Sequence, residues 1–463
     1  MGNGILFLQA RQKLFAWFTK CVRRHGHETL YITVPSLPPG VIIADPANLD
    51  FVFRHEGIFE KGAFFTDRSR DLFGNGIINV DGDLWKRQRK AGLQFLSVSN
   101  LKVLTDVVLP RLLRQSIEYL EARADGVTVV DLQDVVHDIT TQLMGKMAYG
   151  MEMHTGDAFT EAFEYSSGAT AERFQNPLWF ITELVTGKKL RQSIRIIKEY
   201  GRTIVARAIA ERHSAGESPP GNKDEVRKSE NMSGSLIHSL LDSIGDETLV
   251  ADSALNYLSA GRDTVAQALT WTFYLLMKHS SPADKVRREA RGNEGDNDMH
   301  QVAAALEPEQ LTPTKLPYIM AVFYESLRLY PPIPFEIKQV QQDTTLPDGT
   351  FLPKTSIILW CAWAMNRSTL TWGDDADEFR PERWLAGGQL VNRTAAEFPV
   401  FNGGSRLCLG KKMAELIAVQ VIATWSSLFE FLPAYEGTRI SRSSLTLPMD
   451  GGLPVFVKRR SGK

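Results

Sequence analysis

The chain has 463 residues, with 53 basic against 54 acidic side chains and 43% apolar residues. That apolar share is enough for a large buried core, and the lack of a basic excess argues against a nucleic-acid partner. Cysteine occurs only as Cys21, Cys361 and Cys408, which is no disulfide framework and contains no C-x-x-C pair for zinc.

Length alone suggests about three domains, but no repeat or compositional break divides the chain, so one domain over 1–463 is expected. Gly4 to Val22 is mildly apolar and interrupted by Arg11, Lys13 and Lys20. A spanning helix needs roughly 20 apolar residues, so no N-terminal transmembrane anchor is expected. The segment reads as an amphipathic helix, either an ordinary first helix or one lying on a bilayer. Leu30 to Phe53 mixes apolar runs with Pro and Gly, which predicts short strands and turns. From Asp81 to Leu120 the period is helical, and it continues with interruptions through Ala210. The polar stretches Ser214–Gly234 and Arg291–His300 read as mobile surface loops.

Between those loops lies the longest helix, about Thr248 to His279, which at 1.5 Å per residue would run about 48 Å. Pro282 stands just past its end, a common stop. A helix over Tyr318–Tyr330 stops at Pro331-Pro332, Ser356–Leu359 is strand-like, and a last helix runs from Lys411 to Phe431. The expected class is mainly α, an α+β fold with minor sheets.

The segment Phe401-Asn402-Gly403-Gly404-Ser405-Arg406-Leu407-Cys408-Leu409-Gly410 carries the chemistry. A lone cysteine is usually a small core hydrophobe. Here Cys408 stands just before a helix, where free N–H groups and the dipole favour an anion and lower a thiol pKa. Three glycines allow close backbone approach to a flat ligand. Arg406 offers a carboxylate two parallel hydrogen bonds. A flat ligand with carboxylates and a thiolate-accepting metal is haem, and Phe401 is placed to pack over the sulfur and tune it.

Three other constellations support this. Glu325 and Arg328 share one face of an otherwise apolar helix, which implies a buried ion pair needing further partners; Arg383 in Pro381-Glu382-Arg383-Trp384 is the candidate. Ala260-Gly261-Arg262-Asp263-Thr264 interrupts the apolar run of the long helix. It is either a packing notch with a back-bonded threonine, or a groove over iron in which Thr264 holds oxygen or water and Asp263 feeds protons. Trp85 and Arg89 lie one helical turn apart.

The cysteine segment matches F-x-x-G-x-R-x-C-x-G at every fixed position, a coincidence on the order of one in ten thousand by chance. It resembles the haem-binding signature of the cytochrome P450 family. The other segments resemble that family's E-x-x-R with its later arginine, its A-G-x-D-T and its W-x-x-x-R, in the same order. The resemblance spans roughly Gly40 to Val457. It implies a haem b with Cys408 as the axial thiolate, followed by Gly410. It also implies Arg406, Trp85 and Arg89 at the haem propionates, Thr264 and Asp263 in oxygen activation, and Glu325, Arg328 and Arg383 locking the core behind the loop. Lys338 falls where many members carry an arginine for a propionate; it keeps the charge and loses the fork.

The implied reaction inserts one atom of O2 into a C–H bond. The sequence has no G-x-G-x-x-G after a strand for a flavin or nicotinamide, so electrons would come from a separate NADPH reductase. Expected partners are O2 and a lipophilic small molecule, the protein acting as a monomer on the cytosolic side of the endoplasmic reticulum; the alternatives are peripheral membrane contact, a soluble protein, or a natural N-terminus that this chain lacks. The family's architecture points to Asp71–Val80, Phe174–Leu184, Leu255–Arg262, Ile333–Ile337 and Leu445–Met449 as substrate-facing, with Phe73, Phe174, Trp179, Phe180 and Phe335 among them. An apolar lining suits a lipophilic substrate. Local likenesses such as Gly76–Gly82 and Leu329–Pro334 resemble the fungal and plant branch that hydroxylates fatty acids and alkanes, and fungal secondary-metabolite enzymes. Glu336 and Arg262 could anchor a polar substrate end or form structural salt bridges. The alternatives are a haem-thiolate isomerase or dehydratase acting on peroxides, which needs no Thr264, and a non-catalytic haem sensor, which would need a signalling partner.

Overall fold

The structure is a computed structural model that describes residues 9–34, 37–216, 235–292 and 307–460. It is mainly helical, with about 59% of the chain in helices and small sheets at the sides. The helices used below are α1 (Arg11–His25), α2 (Pro46–Arg54), α3 (Gly62–Phe73), α4 (Gly82–Phe95), α5 (Leu109–Glu121), α6 (Leu132–Met144), α7 (Ala158–Gln175), α8 (Trp179–Thr186), α9 (Lys188–Gly216), α10 (Ser235–Ile244), α11 (Glu247–Lys278), α12 (Ser280–Ala290), α13 (Pro317–Leu329) and α14 (Lys411–Leu428). The strands used below are β1 (Leu30–Ile32), β2 (Gly40–Ile42), β3 (Phe59–Glu60), β4 (Asp125–Asp131), β5 (Phe335–Val340), β6 (Ile357–Cys361), β7 (Phe429–Pro433) and β8 (Pro454–Arg459).

The central element is α11. Asp246 caps it by accepting from the Leu249 N–H at 2.8 Å, which satisfies a donor that the first turn leaves free. From Val250 to Leu276 it is buried apart from Ala260, Gly261 and Thr264. A helix buried on all sides lies inside a larger bundle, and α6, α9, α13 and α14 surround this one. Its indole Trp271 stacks on Tyr330 at 4.0 Å and donates to the Leu447 carbonyl at 2.9 Å. The larger sheet has the order β1-β2-β6-β5-β3. It is antiparallel except where β2 runs parallel to β6, with Val41 opposite Ile358. The smaller sheet is β7-β8-β4.

Several boundaries differ from the sequence expectation. Residues 46–54, expected as strand and turn, form α2, because Asp45 accepts from the Ala47 N–H and Pro46 occupies the first helical position, a strong start signal. Asp125–Asp131, inside a stretch expected to be helical, is a strand paired with Pro454–Arg459; that partner is far off in sequence and leaves no local trace. Helix α14 stops at Leu428, and Phe429–Pro433 turns into a strand opposite Val455–Arg459. Pro282 lies just past the end of α11 at Lys278, as expected, and falls in the first turn of the next helix, α12. Residues 214–216 finish α9; the rest of that expected loop, 217–234, and residues 293–300 of the second lie outside the described residues. Helix α1 is an ordinary packed helix. Leu14, Phe15, Phe18 and Val22 are buried, and Phe15 stacks on Trp363 at 4.3 Å, so protein already covers its apolar face. Among the described residues no helix is long and apolar enough to cross a membrane.

Candidate active site

The cysteine loop is built by close packing against α2. A Cβ on Gly403 would meet Phe53 Cδ2 at 2.2 Å, and one on Gly404 would meet the Phe53 carbonyl at 2.0 Å, at φ +59°. Only glycine permits this approach. Asn402 also has a positive φ, of 59°, and its Oδ1 accepts from the Gly403 N–H at 2.9 Å. The Cys408 N–H donates to the Phe401 carbonyl at 2.8 Å and closes the loop. Gly410 is different. Its Cβ would meet only Cys408 Sγ, at 3.9 Å, so protein packing alone does not require glycine there.

The side chain of Cys408 is open on one side and enclosed by protein on the others. That surrounding mass pushes its thiol up from the ordinary value, while the N–H groups of Gly410 and Lys411 and the charge of Arg89 pull it down. The helix start was expected to win; within the protein alone, burial wins. Stabilising the thiolate is left to a bound metal.

Cations gather beside the sulfur. Trp85 is buried on α4, with the Arg89 and Arg406 guanidinium carbons 5.2 and 4.2 Å from its ring centre. Arg89 donates through both terminal nitrogens to the Leu407 carbonyl at 3.1 Å. Arg406, expected to face a ligand carboxylate, already has a protein partner at each nitrogen: Glu56 at 2.9 Å, the Val80 carbonyl at 3.1 Å and Asp81 at 2.5 Å. Lys338 is the reverse case. It is 3% exposed, and among the described residues its ammonium makes no hydrogen bond or ion pair. Burial, with Lys61 and Arg406 nearby, depresses its ammonium to about 8 despite Glu336 and Asp81. Sequence reasoning missed Glu56, Lys61 and Asp81, which carry no local signal. The Glu336-x-Lys338 spacing, two residues on one face of a strand, was the available clue.

The E-x-x-R elements meet as expected. Glu325 and Arg328 are both fully buried and join through two bonds of 2.7 and 2.8 Å. Glu325 also accepts from Arg383 Nε at 2.8 Å, the Arg380 N–H at 2.9 Å and Trp384 Nε1 at 2.9 Å. Arg328 donates onward to the carbonyls of Asn366, Ala376 and Glu378.

On α11, Ala260, Gly261 and Thr264 form the one open stripe, spaced as one helical face is. The Thr264 hydroxyl donates to the Ala260 carbonyl at 2.7 Å, so the back-bond of a packing notch is present, and its oxygen keeps lone pairs to accept. Asp263 is buried and accepts from Arg262 Nε at 2.7 Å. Arg262 and Glu336, considered as substrate anchors, both sit in protein ion pairs, Glu336 with Lys61 at 2.8 Å. Of the aromatic residues expected in a pocket, Phe73 is buried in the core. Phe335 packs on Phe15 and Phe18 at 5.5 and 5.3 Å, and Phe180 points outward, 56% exposed. Phe174 rests on Phe65 at 5.2 Å, and Trp179 lies under Arg173 at 4.6 Å. The Leu445–Met449 tip is held to α11 by Gln267, which bonds Thr446 and Leu447 at 2.8 Å.

A family model described as Cytochrome P450 matches residues 1–449. The chain belongs to the cytochrome P450 family. It is similar to cytochrome P450 86B1 of Arabidopsis thaliana, 32% identical over 443 residues that cover 91% of this chain and 77% of that protein. Two further relatives from the same plant are cytochrome P450 94C1, 31% identical over 96% of this chain and 89% of its own length, and cytochrome P450 94B3, 30% identical over 100% and 91%. A cytochrome P450 is an oxidoreductase, a monooxygenase that carries haem on a cysteine thiolate. The residues present fit that group. Cys408 is open on one side, Gly410 leaves room beside it, the buried Lys338 makes no ion pair among the described residues, and the long helix, enclosed from Val250 to Leu276, opens within that span only at Ala260, Gly261 and Thr264.

Proposed function

We propose that this cytochrome P450 inserts one oxygen atom from O2 into a C–H bond of a lipophilic substrate, a fatty-acyl or alkyl chain, using two electrons from a separate NADPH reductase. The observation that carries the reading is the open stripe of Ala260, Gly261 and Thr264 on a helix otherwise buried from Val250 to Leu276. Small residues leave space there, and the threonine places one polar atom in it.

Bound to Cys408, the haem supplies oxygen activation, with the thiolate pushing electron density to favour O–O cleavage. The protein does the rest. Cys408 would hold the haem iron through its sulfur; its N–H bond to Phe401 steadies the loop, and the N–H groups of Gly410 and Lys411 would temper the thiolate charge. Lys338, and Arg89 with Trp85, would hold the haem propionates. Arg406 reaches a propionate only in competition with Glu56 and Asp81, so Lys338 carries the larger share. Thr264 accepts a hydrogen bond from a water or a proton-bearing group while its own hydrogen stays on Ala260. Asp263, one residue away, is the proton source. Glu325, Arg328 and Arg383 hold the loop from behind. An apolar substrate path is also needed, and the largely apolar Phe174–Leu184 segment would supply part of its wall, leading to the open stripe of Ala260, Gly261 and Thr264.

Reconstitution with an NADPH-dependent reductase and a panel of fatty acids and alkanes under heavy-oxygen gas tests this. One labelled oxygen per product molecule is expected, along with a thiolate-type carbon monoxide spectrum, both lost in Cys408→Ala. Product without label, or formed from a peroxide with no reductase, would overturn the reading.

A further inference from the structure

Asp263 must be resupplied with protons, and α11 alone offers no route, since the residue is 6% exposed and tied to Arg262. The neighbouring helix α6 offers one. His137 on α6 is 8% exposed, and its Nδ1 lies 3.9 Å from Asp263 Oδ1. That is longer than a hydrogen bond, and a bent water bridge or a small closure spans it. Burial pushes the imidazole below its ordinary value. Asp263 and Glu164 draw it back up, and Arg262 and Arg442 press it down. The ring is therefore neutral near neutral pH, with one nitrogen to accept and one to donate.

Charged groups near the surface act on His137. Glu164 on α7 and Arg442 in the C-terminal segment pair at 2.8 Å with side chains 37% and 42% exposed, close enough for both to act on the imidazole. Asp134, one turn earlier on α6, is exposed. Titratable groups thus run from solvent at Asp134 and Glu164 through a buried imidazole to a buried carboxylate beside Thr264. Arg262 fixes the inner end. Its Nη1 donates to Thr160 Oγ1 at 3.1 Å while Nε holds Asp263, so the carboxylate is kept facing α6.

We propose that His137 is a positioning and relay residue that passes protons from the Glu164–Arg442 edge to Asp263. This rests on the oxygen-insertion reading, since it needs a reaction that consumes protons next to Thr264. In each cycle a solvent proton adds at Nε2, and Nδ1 releases its proton to the Asp263 carboxylate. The neutral ring is left with its hydrogen on Nε2 and returns to the other tautomer by exchange with solvent. One proton enters, one leaves, and no electron moves.

The first test is independent of turnover. In the reduced, carbon monoxide-bound protein, which is diamagnetic, the ring signals of a histidine-labelled chain are titrated, and His137 is assigned by its loss in His137→Phe. Asp263→Asn is expected to move the His137 midpoint to lower pH, because a raising charge is removed. An unmoved midpoint shows that the pair is uncoupled and overturns the proposal whatever the reaction is. The second test compares reductase-driven turnover in water and heavy water. His137→Phe is expected to keep the thiolate-type carbon monoxide spectrum. Its product per NADPH should fall about tenfold, less than the roughly 10²–10⁴ of a direct general acid because His137 acts through Asp263, with more hydrogen peroxide and a larger solvent isotope effect. A merely structural histidine would leave the isotope effect where it was. A shifted midpoint with unchanged product per NADPH and isotope effect rejects the relay and leaves oxygen insertion standing. A wild-type protein that makes no oxygen-dependent product rejects the oxygen-insertion reading, and the relay with it.

Discussion

Glu325→Gln removes one charge without changing shape, and the structure sets its size. The carboxylate accepts five hydrogen bonds: two from Arg328, and one each from Arg383, the Arg380 N–H and Trp384. An amide at the same place accepts at only one terminal atom and turns two N–H donors toward groups that are all donors. Arg328, with no exposed surface, is left as an uncompensated buried cation. Breaking a buried pair in this way costs about 3–5 kcal/mol. A chain of this length has an unfolding entropy near 1 kcal/mol per kelvin, so the midpoint should drop by about 3–5 °C. The damage should also reach the cysteine loop by an identifiable path. Trp384 bonds Glu325 and packs edge-on against Phe398 at 4.8 Å, Phe398 meets Phe401 at 6.3 Å, and the Phe401 carbonyl holds the Cys408 N–H. Haem retention on warming, followed by the thiolate-type carbon monoxide band, should fall in step with the unfolding midpoint. Arg383→Met should cost less, because Glu325 keeps Arg328. A Glu325→Gln protein with an unchanged midpoint and unchanged haem retention, or one less damaged than Arg383→Met, would refute the reasoning.

Thr264→Ala is expected to keep the carbon monoxide spectrum while diverting electrons to hydrogen peroxide; equal product per NADPH in mutant and wild type would remove Thr264 from the mechanism. Lys338→Met should weaken haem retention more than Arg406→Met, measured as transfer of haem to an acceptor globin; the opposite order would return the main propionate role to Arg406. The depressed His137 imidazole predicts a pH effect on stability. Below about pH 6.5 the unfolded chain binds a proton that the folded chain resists. Stability is therefore full above that value and is lost as pH falls below it. His137→Phe should flatten this part of the profile, seen in urea midpoints between mildly acidic and neutral pH.

Much of the helical frame was legible because its signals are local. The long helix, expected over Thr248–His279, is Glu247–Lys278, and the one expected over Tyr318–Tyr330 is Pro317–Leu329. Both carry long apolar runs and clear ends. The strand Asp125–Asp131 was hidden because its only ladder partner is β8, at the other end of the chain, and isolated strands carry weak intrinsic preference. Helix α2 was misread for a different reason. Its start signal, Asp45-Pro46, also reads as a turn, and only the buried Leu49, Val52 and Phe53 decide between them.

At the site, the sequence specified which residues gather but not which of them are free. Arg406 and Lys338 both read as cations for a carboxylate. The difference between them is set by neighbours that share no motif with either. Glu56 and Asp81 arrive from the ends of other elements and occupy Arg406, while Glu336, next to Lys338 on the strand, is drawn away by Lys61. A guanidinium between two carboxylates gains little from a third. An ammonium lowered to about 8 by burial is held more firmly in its charged form when a carboxylate approaches, so binding an anionic ligand and protonating Lys338 favour each other. The substitution that looked like the weaker version of the family's arginine is thus, in this chain, the cation with the most to gain from a propionate.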